Sequence, residues 1–379
     1  MSTTRRADLG FALGLAFGIA FLLLLGPFER RIELAHINDF SGFWLGAHAS
    51  VIGVDPYAAS EWRPLVTTLG VHDAETPVYD YFPWVALVLF PLGSLPVESA
   101  AWIWMVFTVT AGAVGLRALL RAYLPGRPLE HGVFGAALLA TQPGFHAFVL
   151  GQWAPLLLGA VCAGVLALRA DRPVRAGLAG LAFLLKPQIF VFAAIRFAAH
   201  RGVAKVAIVA GALVVGLATA RYPDWIGAWV GSVGPARLAR NATLPVALGD
   251  VLGSAGTLLG YLLILGGVAL ASRFGVRGTP SLAIWLALSF AGAIYSWSYD
   301  HLLLLVPIAL TGSVLYARQA RRAKAVILGA LAVLFVLSPI FYGLAVARHR
   351  ESFSAVIPVL VFLILVTALW PYRHLRGAE

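Results

Sequence analysis

The sequence predicts an all-α polytopic membrane protein, a bundle of about 12 transmembrane helices. Of its 379 residues, 60% are hydrophobic and only 12% are charged, whereas roughly 25% of the residues in an average soluble domain are charged. Its apolar residues come in runs of about 20, the length that crosses a bilayer as a helix. Disorder and a disulfide scaffold are excluded, since the composition is apolar and Cys162 is the single cysteine. We expect one membrane-embedded domain, 1–379.

Ten apolar runs are long enough for full spans. They are 9–28, 99–120, 131–150, 153–169, 203–220, 251–272, 281–297, 300–317, 324–346 and 354–371. The first run could be a signal peptide, but no small-residue cleavage site follows it and Glu29-Arg30-Arg31 comes next. We therefore expect it to be retained as a span.

Two further apolar segments do not fit a simple span. Residues 82–96 are short and contain three prolines, which indicates a juxtamembrane or re-entrant helix. Residues 176–198 are long enough for one span but carry Lys186-Pro187 in the middle. Because proline breaks a helix, we predict a hairpin of two half-spans there, which brings the total to about 12.

The distribution of charge predicts the orientation. Most of the 28 lysines and arginines fall in loops that lie on the cytoplasmic side if both termini are inside. The acids gather on the opposite face, chiefly in a first outer loop, 29–98, and a second outer loop spans 221–250. The net charge of +11 therefore reflects membrane topology rather than nucleic-acid binding. We predict a multi-pass protein of the cell membrane whose active site faces the outside or periplasm.

Asp39 is the first candidate catalytic residue. It follows the first span and precedes residues 40–52, whose apolar positions have helical spacing and predict an amphipathic helix on the outer membrane face. Asp39 would then cap this helix, a role that aspartate fills well. Alternatively, it is a general base at the boundary between membrane and water.

Lys186 and His301 are candidate ligands of an anion. A lysine within the membrane is costly and normally faces a polar cavity or a counter-charge. His301 ends the motif Ser298-Tyr299-Asp300-His301 at the outer end of a pair of spans. It is either an interfacial histidine or a partner of Lys186 in binding an anion. A carboxylate that acts as a base, together with a cationic anion site, is what transfer from a lipid-linked phosphate requires.

Four other residues are candidates for substrate binding. Tyr81 lies in an aromatic stretch before the short apolar segment, and Gln152 joins two spans on the outer side, where it could instead cap a helix. Tyr57 ends a turn sequence and could be an interfacial anchor, and Asn241 matches a glycosylation sequon. Since no Gly-rich phosphate loop, CxxC, HExxH or GxSxG motif occurs, we predict neither a metal nor a cofactor.

Taken in order, these pieces resemble the GT-C glycosyltransferases, and in particular the polyprenyl-phosphate-mannose-dependent α-mannosyltransferases with a DUF2029-type domain. The matching pieces are Asp39-Phe40, Gly53-x-Asp55-Pro56-Tyr57, Tyr81-Phe82-Pro83, Gly151-Gln152, Lys186-Pro187 and Ser298-Tyr299-Asp300-His301. The resemblance implies that Asp39 is the catalytic base and that Lys186 and His301 serve the donor phosphate or the reacting centre. It also implies a polyprenyl-phosphate-linked sugar donor, a glycolipid or glycan acceptor, and contact with membrane lipids.

Three other functions remain open at this stage. The break at Lys186-Pro187 would suit a transporter or lipid flippase, because interrupted helices mark substrate sites in transporters. Against this, we find no internal repeat, and the polar residues cluster at one face. An enzyme of the O-antigen ligase or polymerase type would be expected to carry its large hydrophilic loop late in the chain. A structural membrane subunit would not need the lysine within the membrane.

Overall fold

The computed structural model describes residues 2–25, 39–70, 77–232 and 241–374, and these ranges contain helices joined by turns and loops but no strand. The α-helices are α1 (Thr3–Leu24), α2 (Asp39–Ile52), α3 (Ala59–Leu69), α4 (Pro83–Val88), α5 (Phe90–Gly93), α6 (Val97–Tyr123), α7 (Pro128–Ala140), α8 (Gln142–Val149), α9 (Ala154–Arg169), α10 (Pro173–Gly180), α11 (Val191–Ala198), α12 (Arg201–Arg221), α13 (Trp225–Ser232), α14 (Leu244–Ser272), α15 (Thr279–Ala291), α16 (Leu305–Tyr316), α17 (Ala320–Ala332), α18 (Ser338–Arg348) and α19 (Val356–Leu369).

The structure confirms an all-α polytopic membrane protein but does not support the predicted number of spans. Within the described ranges, seven helices are long and apolar enough to cross a membrane, or up to eight if the bent pair α8 and α9 counts as one. Several predicted spans are instead made of shorter helices that meet at breaks.

One break divides the predicted span 131–150. Thr141 has extended backbone angles (φ −82°, ψ 156°), and its hydroxyl accepts a hydrogen bond from the Gly144 N–H at 3.3 Å. Pro143 has no N–H to donate, so the break suits the start of a new helix. α8 and the following α9 meet at 118°. The predicted span 281–297 likewise ends early, because α15 stops at Ala291.

A second break folds α14 back on itself. Gly253 has φ 64° and ψ −150°, far from helical values. A Cβ placed on Gly260 would lie 2.5 Å from the Cα of Pro245, and one on Gly256 would lie 2.0 Å from the Leu248 carbonyl oxygen. The arm before Gly253 therefore packs against the arm after it. The predicted span 251–272 corresponds to the second arm.

The predicted break at Lys186 is present. A 3₁₀ turn over Leu181–Leu185 follows α10, and another over Pro187–Ile189 precedes α11, while Lys186 between them is not helical (φ −144°, ψ 66°). The chain before the break and the chain after it form a hairpin. Its two ends are close together, since a Cβ on Gly202, which follows α11, would lie 2.8 Å from the Cβ of Pro173 at the start of α10.

α2 begins at Asp39, as the sequence predicts, but it is not an amphipathic helix on the membrane face. Its residues are buried on both sides. The small residues explain why, because a Cβ on Gly46 would lie 2.3 Å from the ring of Tyr79, and one on Gly93 would lie 2.5 Å from the carbonyl carbon of Ala47. Glycines on α2 and on α5 thus let neighbouring elements cover both faces.

Glycines also bring α1 close to α7. A Cβ on Gly14 would lie 1.8 Å from the carbonyl oxygen of Gly132, and one on Gly10 would lie 2.2 Å from that of Pro128. Such close approach through small residues is a common way for helices to associate in membranes. Gly216 of α12 is the contrast, since a Cβ there would meet nothing within 4 Å.

We expect Gly14→Ala to destabilise the protein by about 1–3 kcal/mol, because the added methyl overpacks the contact between α1 and α7. Gly216→Ala is the matched control, and it should leave stability unchanged or raise it by up to about 1 kcal/mol through helix propensity. Thermal unfolding in detergent measures both. Equal effects of the two substitutions would contradict this account of the α1–α7 contact.

Candidate functional site

A cavity of about 540 Å³ lies at one end of the bundle, and its lining comes from distant parts of the chain. Four residues predicted from sequence line it: Asp39, Tyr81, Gln152 and Lys186. Other lining residues bring further polar and aromatic groups, namely Asp80, His146, Trp153, Trp229, Tyr295, Trp297, Tyr299 and Glu351.

Asp39 is held at the start of α2 by the turn between α8 and α9. The Gln152 side-chain amide donates a hydrogen bond to Asp39 Oδ2 at 2.5 Å, and the Phe40 N–H donates to the Leu150 carbonyl at 3.2 Å. Gly151 has φ 65°, a left-handed conformation that favours glycine, and its carbonyl accepts from the Trp104 indole at 2.7 Å. This turn therefore aims the amide at the carboxylate.

Lys186 is paired with Asp300. Its Nζ lies 2.8 Å from Asp300 Oδ1 and 4.4 Å from the centre of the Tyr299 ring. The side chains of Lys186 and Asp300 are only 12% and 4% exposed. Asp300 also accepts from the Trp297 N–H at 3.1 Å, so the carboxylate that neutralises the lysine is itself fixed by its own turn.

His301 lies apart from the cavity. Its side chain is buried, and within the described ranges neither ring nitrogen has a hydrogen-bond partner. It is absent from the lining of the cavity. The sequence analysis joined Lys186 to His301, whereas the structure joins Lys186 to the preceding residue, Asp300. Direct contact of His301 with a donor phosphate would require its ring to turn out of the core.

The other two predicted residues support the site from outside. The Tyr57 hydroxyl donates to the backbone carbonyl of Tyr81, and its ring packs against Tyr79 at 5.9 Å. Asn241 is buried, and its Oδ1 accepts from the Thr243 hydroxyl at 2.7 Å. Neither Tyr57 nor Asn241 lines the cavity, so any effect on substrate would be indirect.

Glu351 is a lining residue that sequence reasoning missed. It precedes the last span and accepts a hydrogen bond from the Ser298 N–H at 2.9 Å through Oε2. Burial raises the pKa of the Glu351 carboxyl, and the negative charges of Asp300 and Asp39 raise it further, against the hydrogen bonding of Ser298, which lowers it. The available signal was an acid at the outer end of a predicted span.

The cavity is acidic rather than cationic. Asp39, Asp80 and Glu351 line it, and among its described lining residues Lys186 is the sole lysine or arginine. Such a lining suits a general base and the hydroxyl groups of a sugar, and its aromatic rings offer faces on which a sugar can pack. In the described ranges, no group of three or more His, Cys, Asp or Glu side chains is placed to hold a metal ion.

Comparison with known proteins identifies a family. The model of glycosyltransferase family 87 matches residues 79–292, more than half of the chain. The matched range includes Tyr81, Gln152 and Lys186, while Asp39 and Glu351 lie outside it. No curated protein matches the chain, and no solved structure matches it.

Proposed function

The chain belongs to glycosyltransferase family 87, and from that premise we propose that this membrane glycosyltransferase takes its sugar from a polyprenyl-phosphate donor. The sugar is a hexose, mannose by the resemblance, and the acceptor is a glycolipid or glycan at the outer face of the membrane. One observation carries the proposal: a single cavity is lined by the carboxylate of Asp39, its amide partner Gln152 and the ammonium of Lys186.

In the proposed reaction, Asp39 acts as the general base. An acceptor hydroxyl enters the cavity, and its oxygen attacks the anomeric carbon of the donor sugar while Asp39 takes the proton. The bond between that carbon and the phosphate oxygen breaks, and its electron pair leaves with the lipid phosphate. Because there is one displacement, the anomeric configuration inverts, and a β-linked donor gives an α-linked product.

Lys186 stabilises the leaving phosphate in this proposal. An ammonium has three N–H donors, and one of them is directed at Asp300, so two can serve a ligand in the cavity. Stabilising charge that develops in a site of low dielectric constant is usually the largest single contribution to catalysis. Asp300 is then a positioning residue that fixes the direction of the ammonium group at the cavity.

The experiment that tests the proposal supplies purified protein with radiolabelled sugar on polyprenyl phosphate or on a nucleotide diphosphate, together with a panel of glycolipid acceptors. We expect a labelled glycolipid from the polyprenyl-phosphate donor alone. Product formed only from the nucleotide sugar would overturn the proposed donor. The transporter or flippase alternative has no support from the comparisons, and it predicts movement of substrate without any covalent product.

Ionisation of the Glu351 carboxyl should make donor binding depend on pH. Its raised pKa keeps the carboxyl protonated to a higher pH than usual, and ionisation above that pKa adds negative charge beside an anionic donor. We expect the KM for the donor to rise with pH in the parent protein and to rise less in Glu351→Gln, whose side-chain oxygen can still accept from Ser298.

The matched control is Asp224→Asn, which removes a carboxylate from an exposed position of the second outer loop. Its donor KM should follow the parent profile across the pH range. If Glu351→Gln also follows the parent profile, Glu351 does not influence donor binding through its charge.

A further inference from the structure

A second cavity lies at the other end of the bundle. α9 begins beside the candidate active site, where Trp153 lines the first cavity, and it ends at Arg169, which lines the second. At 1.5 Å per residue, a helix of this length separates the two cavities by about 24 Å. The second cavity lies among the loops that the positive charges place on the cytoplasmic side, and its volume is about 690 Å³.

Two arginines line this second cavity, and each is stacked on a tyrosine. The guanidinium of Arg127 lies 4.1 Å from the centre of the Tyr316 ring, and that of Arg169 lies 4.6 Å from the centre of the Tyr123 ring. Arg169 also donates to the backbone carbonyl of Ala122. Stacking leaves the edge of a guanidinium, with its N–H donors, available to a ligand.

Within the described part of the chain, the two arginines have no directly bonded carboxylate as a counter-charge. Neither Arg127 nor Arg169 forms an ion pair with a carboxylate there, and no Asp or Glu lines the cavity. Glu130 accepts a hydrogen bond from the Tyr316 hydroxyl and does not itself line the cavity. By contrast, Arg117 and Arg121 on the same face are both bonded to Asp8.

The start of α15 completes the lining. Thr279 is the first residue of this 13-residue helix and lies in the cavity wall. The N-terminus of a helix carries partial positive charge and favours anions. Two oriented guanidiniums and a helix N-terminus therefore meet in one cavity from three parts of the chain.

We propose that this cavity binds a phosphate group, supplied by the headgroup of an anionic phospholipid or by free phosphate. Guanidinium groups bind phosphate through paired N–H···O bonds, and basic cavities between helices on the cytoplasmic side are typical sites for anionic headgroups. The site is separate from the proposed catalytic cavity and does not depend on the identity of the sugar donor.

The test measures binding to the purified full-length protein, from the shift of its unfolding temperature, for short-chain phosphatidylglycerol, short-chain phosphatidylcholine and inorganic phosphate. We expect phosphatidylglycerol to bind and phosphatidylcholine not to bind. Binding of inorganic phosphate as well identifies the phosphate group alone as sufficient, whereas binding of the lipid alone identifies a headgroup site. Binding of neither anion overturns the proposal.

Two double variants test whether the anion binds in this cavity. Arg127→Gln with Arg169→Gln should weaken anion binding by roughly tenfold or more, since the charge-assisted hydrogen bonds of both guanidiniums to the anion are lost. The matched control, Arg172→Gln with Arg175→Gln, removes two exposed arginines from the same face and should bind as the parent does. Equal binding by the two double variants would overturn the site.

A variant that keeps both positive charges controls for the possibility that the glutamine variants fail to fold. Arg127→Lys with Arg169→Lys retains both positive charges but loses the planar fork that binds phosphate through two N–H groups. We expect it to fold and to bind the anion more weakly than the parent. Parental affinity in this variant would show that general positive charge, and not a built site, attracts the ligand.

Discussion

Asp39→Asn is expected to lower sugar transfer by about 10²–10⁴-fold, the usual contribution of one general base. The substitution keeps the shape of the side chain but removes its ability to take a proton. An asparagine oxygen can still accept the hydrogen bond that Gln152 donates to Asp39 in the parent. The variant should therefore fold, insert in the membrane and bind the donor, and the loss should fall on kcat.

The measurement is the initial rate with radiolabelled polyprenyl-phosphate sugar at equal amounts of purified protein. Asp224→Asn is the matched control, because it makes the same chemical change at an exposed position between α12 and α13, and it should transfer sugar at the parental rate. A parental rate in Asp39→Asn would remove Asp39 from the mechanism, whatever the donor proves to be.

Several residues that line the candidate site could be predicted from the sequence, because the signal for each of them is local. An acid after the first span, a Gly-Gln turn between two helices and a lysine inside an apolar run are each out of place in their own surroundings. Asp39, Gln152 and Lys186 all line the cavity. That these three side chains meet in one cavity follows from a general rule, because polar groups within a membrane protein normally face a polar cavity.

The partner of Lys186 could not be predicted in the same way. Asp300 is 114 residues distant in sequence, and the sequence analysis singled out His301 beside it, as a second ligand of an anion and not as a counter-charge. The choice depends on the 3₁₀ turn over Ser298–Leu304, which directs one side chain to the lysine and the next into the core. Sequence periodicity does not resolve a turn of this kind.

The number of spans could not be predicted either, because hydropathy reports the length of an apolar run and not its continuity. The break at Thr141 and the end of α15 at Ala291 both lie inside runs that are apolar enough to cross the bilayer. Non-helical backbone at membrane depth is tolerated where it is buried in protein or lines a cavity. The break at Thr141 precedes α8, which carries His146 into the cavity wall.

Lys186→Met is expected to produce the second large effect, on stability as well as on transfer. It leaves the carboxylate of Asp300, whose side chain is 4% exposed, without its counter-charge. Removing one partner of a buried ion pair typically costs about 3–5 kcal/mol. If the ammonium also stabilises the leaving phosphate, transfer should fall by about 10²–10³-fold, as for loss of one transition-state donor.

The double variant Lys186→Met with Asp300→Asn separates these two effects. Removing both charges leaves no unpaired ion in the core, so the unfolding temperature in detergent should recover most of what Lys186→Met loses. A lysine that serves the phosphate cannot be replaced by this repair, and transfer should remain as low as in the single variant. If transfer recovers together with stability, the ion pair only holds the hairpin to the Ser298–Leu304 turn, and the leaving phosphate must be stabilised by other groups.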